Sequence, residues 1–212
     1  MDKQGWTNLP NNALLKKTYS SYEEYLQHQA SKLGTIDWLK RYHGQFRGAL
    51  KERAADLAGM RHGATVVCLG ARTGAECEAF TELGALAIGV DLNPGEKNRF
   101  VVTGDFHHLQ FADGVFDFAY TNALDHAMDL TMLLQEVRRV LKSGGIFNAE
   151  IVLGSSDEGG RDPGAYESLW WEQVESVIAA IEQAGFWIAR RRPFTFPWKG
   201  VSVEFVRKHE DS

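Results

Sequence analysis

The sequence predicts an α/β protein, a doubly wound sheet of mostly parallel strands with a helical appendage, and three observations predict it. Val66–Asp91 (VVCLGARTGAECEAFTELGALAIGVD) reads as an apolar strand, a glycine-bearing turn, a helix and a second apolar strand that ends in a carboxylate. Alternation of strand and helix at this length is the building unit of a parallel sheet. Further short apolar or alternating runs recur at Phe100–Thr103, Phe116–Tyr120, Phe186–Arg192 and Val201–Arg207, with room for helices between most of them. Residues 1–62, by contrast, repeat apolar positions at three- and four-residue steps, the period of a helix.

Bulk composition narrows the class. The chain has 212 residues and 44% hydrophobic content, enough for one α/β domain with an appendage and a sizeable core. Its net charge of −5 argues against a surface built to bind nucleic-acid phosphates. The one cationic run, Arg190-Arg191-Arg192, is read as a solvated strand end. Cys68 and Cys77 fall in a predicted strand and a predicted helix, as small buried apolar residues of a reducing compartment. No run approaches about 20 apolar residues, and no apolar segment of signal length opens the chain, so a cytoplasmic protein without a membrane span is expected.

The N-terminal helices have legible boundaries. Ser21-Tyr22-Glu23-Glu24 is a capping-box signature, with Ser21 as N-cap and Glu24 three residues on. The helix aligns Tyr22, Tyr25, Leu26, Gln29 and Leu33 on one face, Gly34 stops it, and Thr35 can cap the next. Ile36, Leu39, Tyr42/His43, Phe46, Leu50 and Leu57 continue the period to Gly59. Residues 1–62 are therefore expected to form a helical cap packed on a core of residues 63–212, with no Pro- or Ser-rich linker between. Tyr22, Tyr25, His28 and Gln29 are placed either to line a substrate pocket or to pack the cap onto the sheet.

Val66–Asp91 carries the first chemistry. Glycines let a backbone approach a ligand without a Cβ in the way, and a helix start offers free N–H groups. Asp91, about twenty residues on at the tip of the next strand, can accept hydrogen bonds from both ribose hydroxyls. An adenosine-bearing ligand is expected. A dinucleotide fingerprint needs glycine at its third and sixth positions, where Arg72 and Ala75 stand, and no Gly-Lys-Ser/Thr closes a phosphate loop. Val66-Val67-Cys68-Leu69-Gly70-Ala71-Arg72-Thr73-Gly74 instead resembles V-L-D-L-G-C-G-T-G, the first motif of the class I S-adenosylmethionine-dependent methyltransferases. Phe111–His126 (FADGVFDFAYTNALDH) resembles that family's P-F-P-D-G-S-F-D-V-V-Y-S-N-x-x-L-E-H. Leu133–Phe147 (LLQEVRRVLKSGGIF) is similar to its helix, Leu-Lys-Pro-Gly-Gly turn and fifth strand, with Ser143 in place of Pro. The three occur in the family's order across residues 64–153. By this resemblance the chain is identified as a methyltransferase domain of the ubiquinone/menaquinone-biosynthesis-like kind.

The resemblance implies a Rossmann-like, mostly parallel seven-stranded sheet with an antiparallel last strand, S-adenosyl-L-methionine as cofactor, and methyl transfer to a small-molecule acceptor. It puts Gly70, Ala71, Arg72, Thr73 and Gly74 on the cofactor, with Asp91, Leu92 and Asn122. Asp105 would take the adenine amino group, an acceptor-only carboxylate facing a donor, and Phe106 would flank the ring. For a hydroxyl acceptor His126, just past the fourth strand, is the first candidate base, with Asp125 orienting it; an ordinary pKa of about 6.5 suits that task. Packing, or capping the next helix, is the other role open to His126, and Glu150 is a weaker candidate base. His107 and His108 lack a metal-binding companion pattern and are read as loop residues, so no metal is expected. Gly154–Gly164 is read as a lid or a connector, and Ala165–Ala184 as a helix stopped by Gly185.

Two residues depart from the family pattern. Cys68 stands where an acidic residue is usual, which removes one favourable interaction with the ligand's ammonium, and Arg72 replaces the middle glycine. A left-handed backbone at a non-glycine residue costs roughly 1–2 kcal/mol. These departures favour a rival reading, a non-catalytic S-adenosylmethionine-binding or interaction protein that keeps the fold. A nicotinamide-dependent reductase fails on glycine spacing and on the absence of Tyr-x-x-x-Lys, since Tyr166 is followed four residues later by Trp170.

Overall fold

The computed structural model describes residues 5–9, 13–32, 36–95 and 97–208; the expected roles of Leu33, Gly34 and Thr35 lie outside them. In chain order the elements are β1 (Trp6–Asn8), β2 (Leu14–Lys17), α1 (Tyr22–Ala30), α2 (Ile36–Ala54), β3 (Thr65–Leu69), α3 (Ala75–Glu82), β4 (Leu86–Asp91) and β5 (Val101–Thr103). There follow β6 (Phe116–Thr121), a single 3-10 turn (Leu124–His126), α4 (Leu130–Val140), β7 (Leu141–Val152), β8 (Leu169–Trp171), α5 (Val174–Gln183), β9 (Phe186–Phe194) and β10 (Gly200–Arg207). The large sheet has seven strands in the order β5-β4-β3-β6-β7-β10-β9. Its first five strands are parallel. β10, the last strand of the chain, runs antiparallel to both β7 and β9. This is the architecture expected from the sequence.

Strand periodicity explains the two layers. Successive strand side chains point to opposite faces. Val66 and Cys68 of β3 accordingly join one core cluster with Phe46 and Leu50 of α2 and Phe80 of α3. Val67 and Leu69 join the opposite cluster with Leu133, Leu134 and Val137 of α4 and Val177, Ile178 and Ile181 of α5. Each such fully buried aliphatic or aromatic side chain contributes about 1.5–3 kcal/mol of transfer free energy. Cys68 and Cys77 are both buried free thiols.

The N-terminal region is less purely helical than its periodicity predicts. β1 and β2 pair antiparallel, and β2 pairs in turn with β8, placing Leu14 opposite Trp171 and Leu15 opposite Trp170. The helix expected over Ala165–Ala184 is therefore confined to α5, which begins at Val174. Leu169, Trp170 and Trp171 are almost completely buried; burying three adjacent bulky side chains is easier for a strand covered on both faces than for one stripe of a helix. Ser21 caps α1 as expected, accepting from the Glu24 amide at 3.2 Å. Glu24, however, reaches back one residue further, to the Ser20 amide at 2.6 Å. α2 ends at Ala54, short of Gly59, although Leu57 stays buried in the turn that follows.

The arginine run lies late in β9, with Arg191 exposed and Arg190 and Arg192 half-buried. Arg190 pairs with Glu204 (2.6 Å), Arg192 with Asp56 (2.6 Å), and Arg191 with Glu175. Its alternating sides are neutralised, so it offers no open cationic stripe. Among the described residues no helix is long and apolar enough to cross a membrane.

Candidate active site

The site lies where an open parallel sheet is expected to bind ligands, beyond the carboxyl ends of its central strands. β3 ends in the turn Gly70–Gly74. Gly70 (φ +72°) and Gly74 (φ +84°) are left-handed, and a Cβ on Gly70 would sit 2.7 Å from the Ala123 Cβ. Between them Arg72 takes φ +23°, so the strain anticipated for a non-glycine residue is present. The turn is held by what surrounds it. The Arg72 amide donates to Asp91 Oδ2 at 2.9 Å, and the Arg72 carbonyl accepts from Asn98 Nδ2 at 2.9 Å. The Asn93 amide donates to Asp91 Oδ1 at 2.8 Å. Each Asp91 oxygen thereby keeps acceptor capacity for a ligand.

A cavity of about 570 Å³ opens above this turn. Of the residues the sequence singled out, Gly70, Ala71, Arg72, Thr73, Asp91 and Leu92 form its floor, and Phe106, Asn122, Asp125 and His126 line it further along. Gly74 and Asp105 are not on its wall. Asp105 is taken up by the protein: the Tyr22 hydroxyl donates to its Oδ2, and the His107 amide and Nδ1–H donate to its Oδ1 at 2.9 and 2.7 Å. Burial alone would raise the Asp105 carboxyl, but the bonds from His107 and Tyr22 outweigh it and hold the pKa at about 2. His107 in turn accepts from the Asp129 amide through Nε2 at 3.2 Å. It is a buried link between the loop after β5 and the start of α4, consistent with a loop role.

The candidate base is placed in the cavity but not as anticipated. His126 has the Lys32 ammonium 2.9 Å from Nδ1 and 3.0 Å from Nε2. Burial and the Lys32 charge push its pKa down to about 3, well below the range that suits a base at neutral pH. Asp125 does not orient it: the closest approach, Asp125 Oδ1 to His126 Nε2, is 3.8 Å. Asp125 faces Arg161 at 3.6 Å instead, and burial raises its carboxyl. Glu150 is likewise engaged, receiving Arg53 through two bonds of 2.7 and 2.9 Å and the Tyr120 hydroxyl at 3.0 Å. That arrangement clamps α2 to β7.

Several cavity residues had no motif to announce them. Lys32, on the α1-side wall, is held by burial at a pKa of about 8. It shares the helical stripe of Tyr25 and Gln29, which was its only sequence signal. Tyr25 donates to the His126 carbonyl at 3.2 Å, and Gln29 to the Tyr166 carbonyl at 3.1 Å. Arg161, from the glycine-rich loop, pairs with Glu167 at 2.8 Å and lies over the Trp170 ring. That loop is pinned at its base, since Asp157 accepts from the amides of Gly154 and Val174 at 2.8 and 2.9 Å. Glu76, on the first turn of α3, is a buried carboxylate among the apolar residues Ala75, Cys77, Ala79 and Phe80.

Comparison with known proteins agrees with this geometry. Residues 67–149 match the methyltransferase domain family. The chain is 31% identical over 105 residues to the sterol 24-C-methyltransferase of Schizosaccharomyces pombe, a stretch covering 42% of this chain and 28% of that one. It is 37% identical over 90 residues to the demethylmenaquinone methyltransferase of Corynebacterium kroppenstedtii, covering 39% of each. The matches thus span well under half the length of these relatives. Among solved structures, the 1,6-didemethyltoxoflavin-N1-methyltransferase of Burkholderia thailandensis, with bound 1,6-didemethyltoxoflavin and S-adenosylhomocysteine, is similar in fold, with a TM-score of 0.62 at 20% identity. That likeness covers 95% of this chain and 98% of that one. The chain carries a class I S-adenosylmethionine-dependent methyltransferase domain, and S-adenosylmethionine is the cofactor of that class.

Proposed function

We propose that the protein transfers a methyl group from S-adenosylmethionine to a small, largely apolar acceptor. One observation carries the reading: a single cavity joins Gly70–Thr73 and Asp91 to a wall of Tyr42, Phe46, Trp171 and Trp198. The turn and Asp91 fit the cofactor's adenosine, because a carboxylate with open acceptor positions beside close-approach backbone is what ribose hydroxyls need. The aromatic wall fits a flat or hydrocarbon acceptor. When bound, the cofactor supplies a methyl group already activated on a sulfonium. The protein's own task is then chiefly orientation, which can supply several kcal/mol.

The remaining residues divide that task. Phe106 closes the floor, and Asn122 offers an amide to cofactor or acceptor. Residues 1–62 act as a cap over 63–212, with α1 and the turn after it roofing the cavity through Tyr25, Gln29 and Lys32. Where the acceptor is a hydroxyl, the Lys32–His126 pair is the group best placed to take its proton. Lys32, at a pKa of about 8, is better matched to neutral pH than His126. The named relatives act on a sterol and a demethylmenaquinone, which supports an apolar acceptor.

The test is release of S-adenosylhomocysteine from S-adenosylmethionine with three acceptors, a sterol, a demethylated quinol and a small hydrophilic amine. Turnover with either apolar acceptor and none with the amine is expected. Turnover with the amine alone would overturn the acceptor assignment.

A further inference from the structure

Glu76 is 7% exposed, lines the cavity and, among the described residues, has no hydrogen-bond partner at Oε2. Asn122 hydrogen-bonds its side chain. The groups that face it are a poor match for a negative charge. Asp91 of β4 and Glu150 of β7 share its sign. Tyr42 of α2 and Tyr120 of β6 lie within its field, as does Cys68 of β3, a buried neutral thiol. Arg53, whose charge also reaches Tyr42 and Tyr120, is committed with two bonds to Glu150. Burial, and then Asp91 and Glu150, raise the Glu76 carboxyl to about 8. A buried carboxyl with an unpartnered oxygen, at a residue that lines a cavity, suits an incoming cation.

The position says which cation. Glu76 stands two residues past Gly74, on the helix that the turn opens, and its partner Asn122 follows β6 immediately. It therefore borders the space between the carboxyl ends of β3 and β6, next to the residues that would hold the adenosine. We propose that Glu76 receives the α-ammonium group of the cofactor's amino-acid tail, a role Cys68 cannot fill; the proposal rests on the functional reading above. An ammonium there gives Oε2 its missing donor and compensates the cluster's negative charge. Binding at neutral pH ionises Glu76 and releases its proton to solvent.

The experiment is isothermal calorimetry at pH 7 on wild type and Glu76→Gln, in two buffers of different ionisation enthalpy. The ligands are S-adenosylhomocysteine and methylthioadenosine, which shares the adenosine thioether but lacks the amino-acid tail. Gln matches Glu76 in its neutral form, so the variant is expected to fold, and its melting curve checks this. Glu76→Gln should weaken S-adenosylhomocysteine by at least about tenfold, a charge-assisted bond's worth, and leave methylthioadenosine unchanged. Wild type should release close to one proton with S-adenosylhomocysteine, and the variant none. Equal loss for both ligands, or loss for neither, would overturn the assignment. An unchanged S-adenosylhomocysteine affinity with weakened binding of an amine acceptor would move the ammonium to the acceptor and also overturn it. Failure of wild type to bind either adenosine ligand removes the functional reading itself, and this proposal with it.

Discussion

The turn wall and the cap wall of the cavity are built differently. Around the turn, the bonds that fix Arg72 join groups 19 and 26 residues apart, and at least one partner in each is a backbone group. In the cap wall, Tyr25 reaches the His126 carbonyl across 101 residues and Lys32 reaches the His126 ring across 94. The first wall tolerates an unusual side chain, since Arg72 adopts the left-handed backbone and still donates to Asp91. The second depends on particular side chains meeting, and it sets the charge state of His126. A geometry fixed by backbone bonds and a chemistry set by distant side chains share one cavity.

The largest expected effect lies at the clamp between α2 and β7. Arg53→Ala leaves Glu150, 2% exposed, without its cation and should destabilise the fold by about 3 kcal/mol in urea unfolding. A loss of activity without loss of stability would instead make Glu150 the catalytic group. Next in size is the His126 titration. With its folded pKa near 3 against about 6.5 unfolded, the unfolded chain binds the extra proton between those values. This contribution to stability is full above pH 6.5 and is lost as pH falls toward 3, with a slope on the order of 1 kcal/mol per pH unit. In Lys32→Met, NMR should show the His126 pKa shifted upward, while burial keeps it below the ordinary value. No change would mean that the two side chains do not meet.

The smaller effects sharpen the turn wall. Arg72→Gly relieves the φ of +23° and should stabilise the ligand-free protein by about 1 kcal/mol. A destabilised variant would show that the arginine side chain holds the turn. Tyr22→Phe removes one hydroxyl bond to Asp105 at a residue 42% exposed, and should cost no more than about 1 kcal/mol. It should also raise the Asp105 pKa, measurable by NMR, while the two His107 bonds remain.

The same division explains what was legible in the sequence. The parallel sheet, the turn and Asp91 were readable because strand periodicity, glycine spacing and a terminal carboxylate are local patterns. The strand at Leu169–Trp171 was not, since only its pairing with Leu14–Lys17, far away in sequence, turns a helix-compatible run into a strand. Asp105 was correctly placed after a strand, but Tyr22 and His107 had already claimed it, and no spacing announces that. His126 was found by position, whereas its low pKa depends on Lys32. Glu76 had a faint signal, a carboxylate on an otherwise apolar helix face, and only the cavity it lines singles it out.

The most direct test of the account is a calorimetric titration of wild type and Asp91→Ala with S-adenosylhomocysteine. Saturable micromolar binding to wild type, lost in the variant, is the predicted result. No binding at millimolar ligand, or equal binding to both proteins, would contradict the placement of the cofactor on this turn.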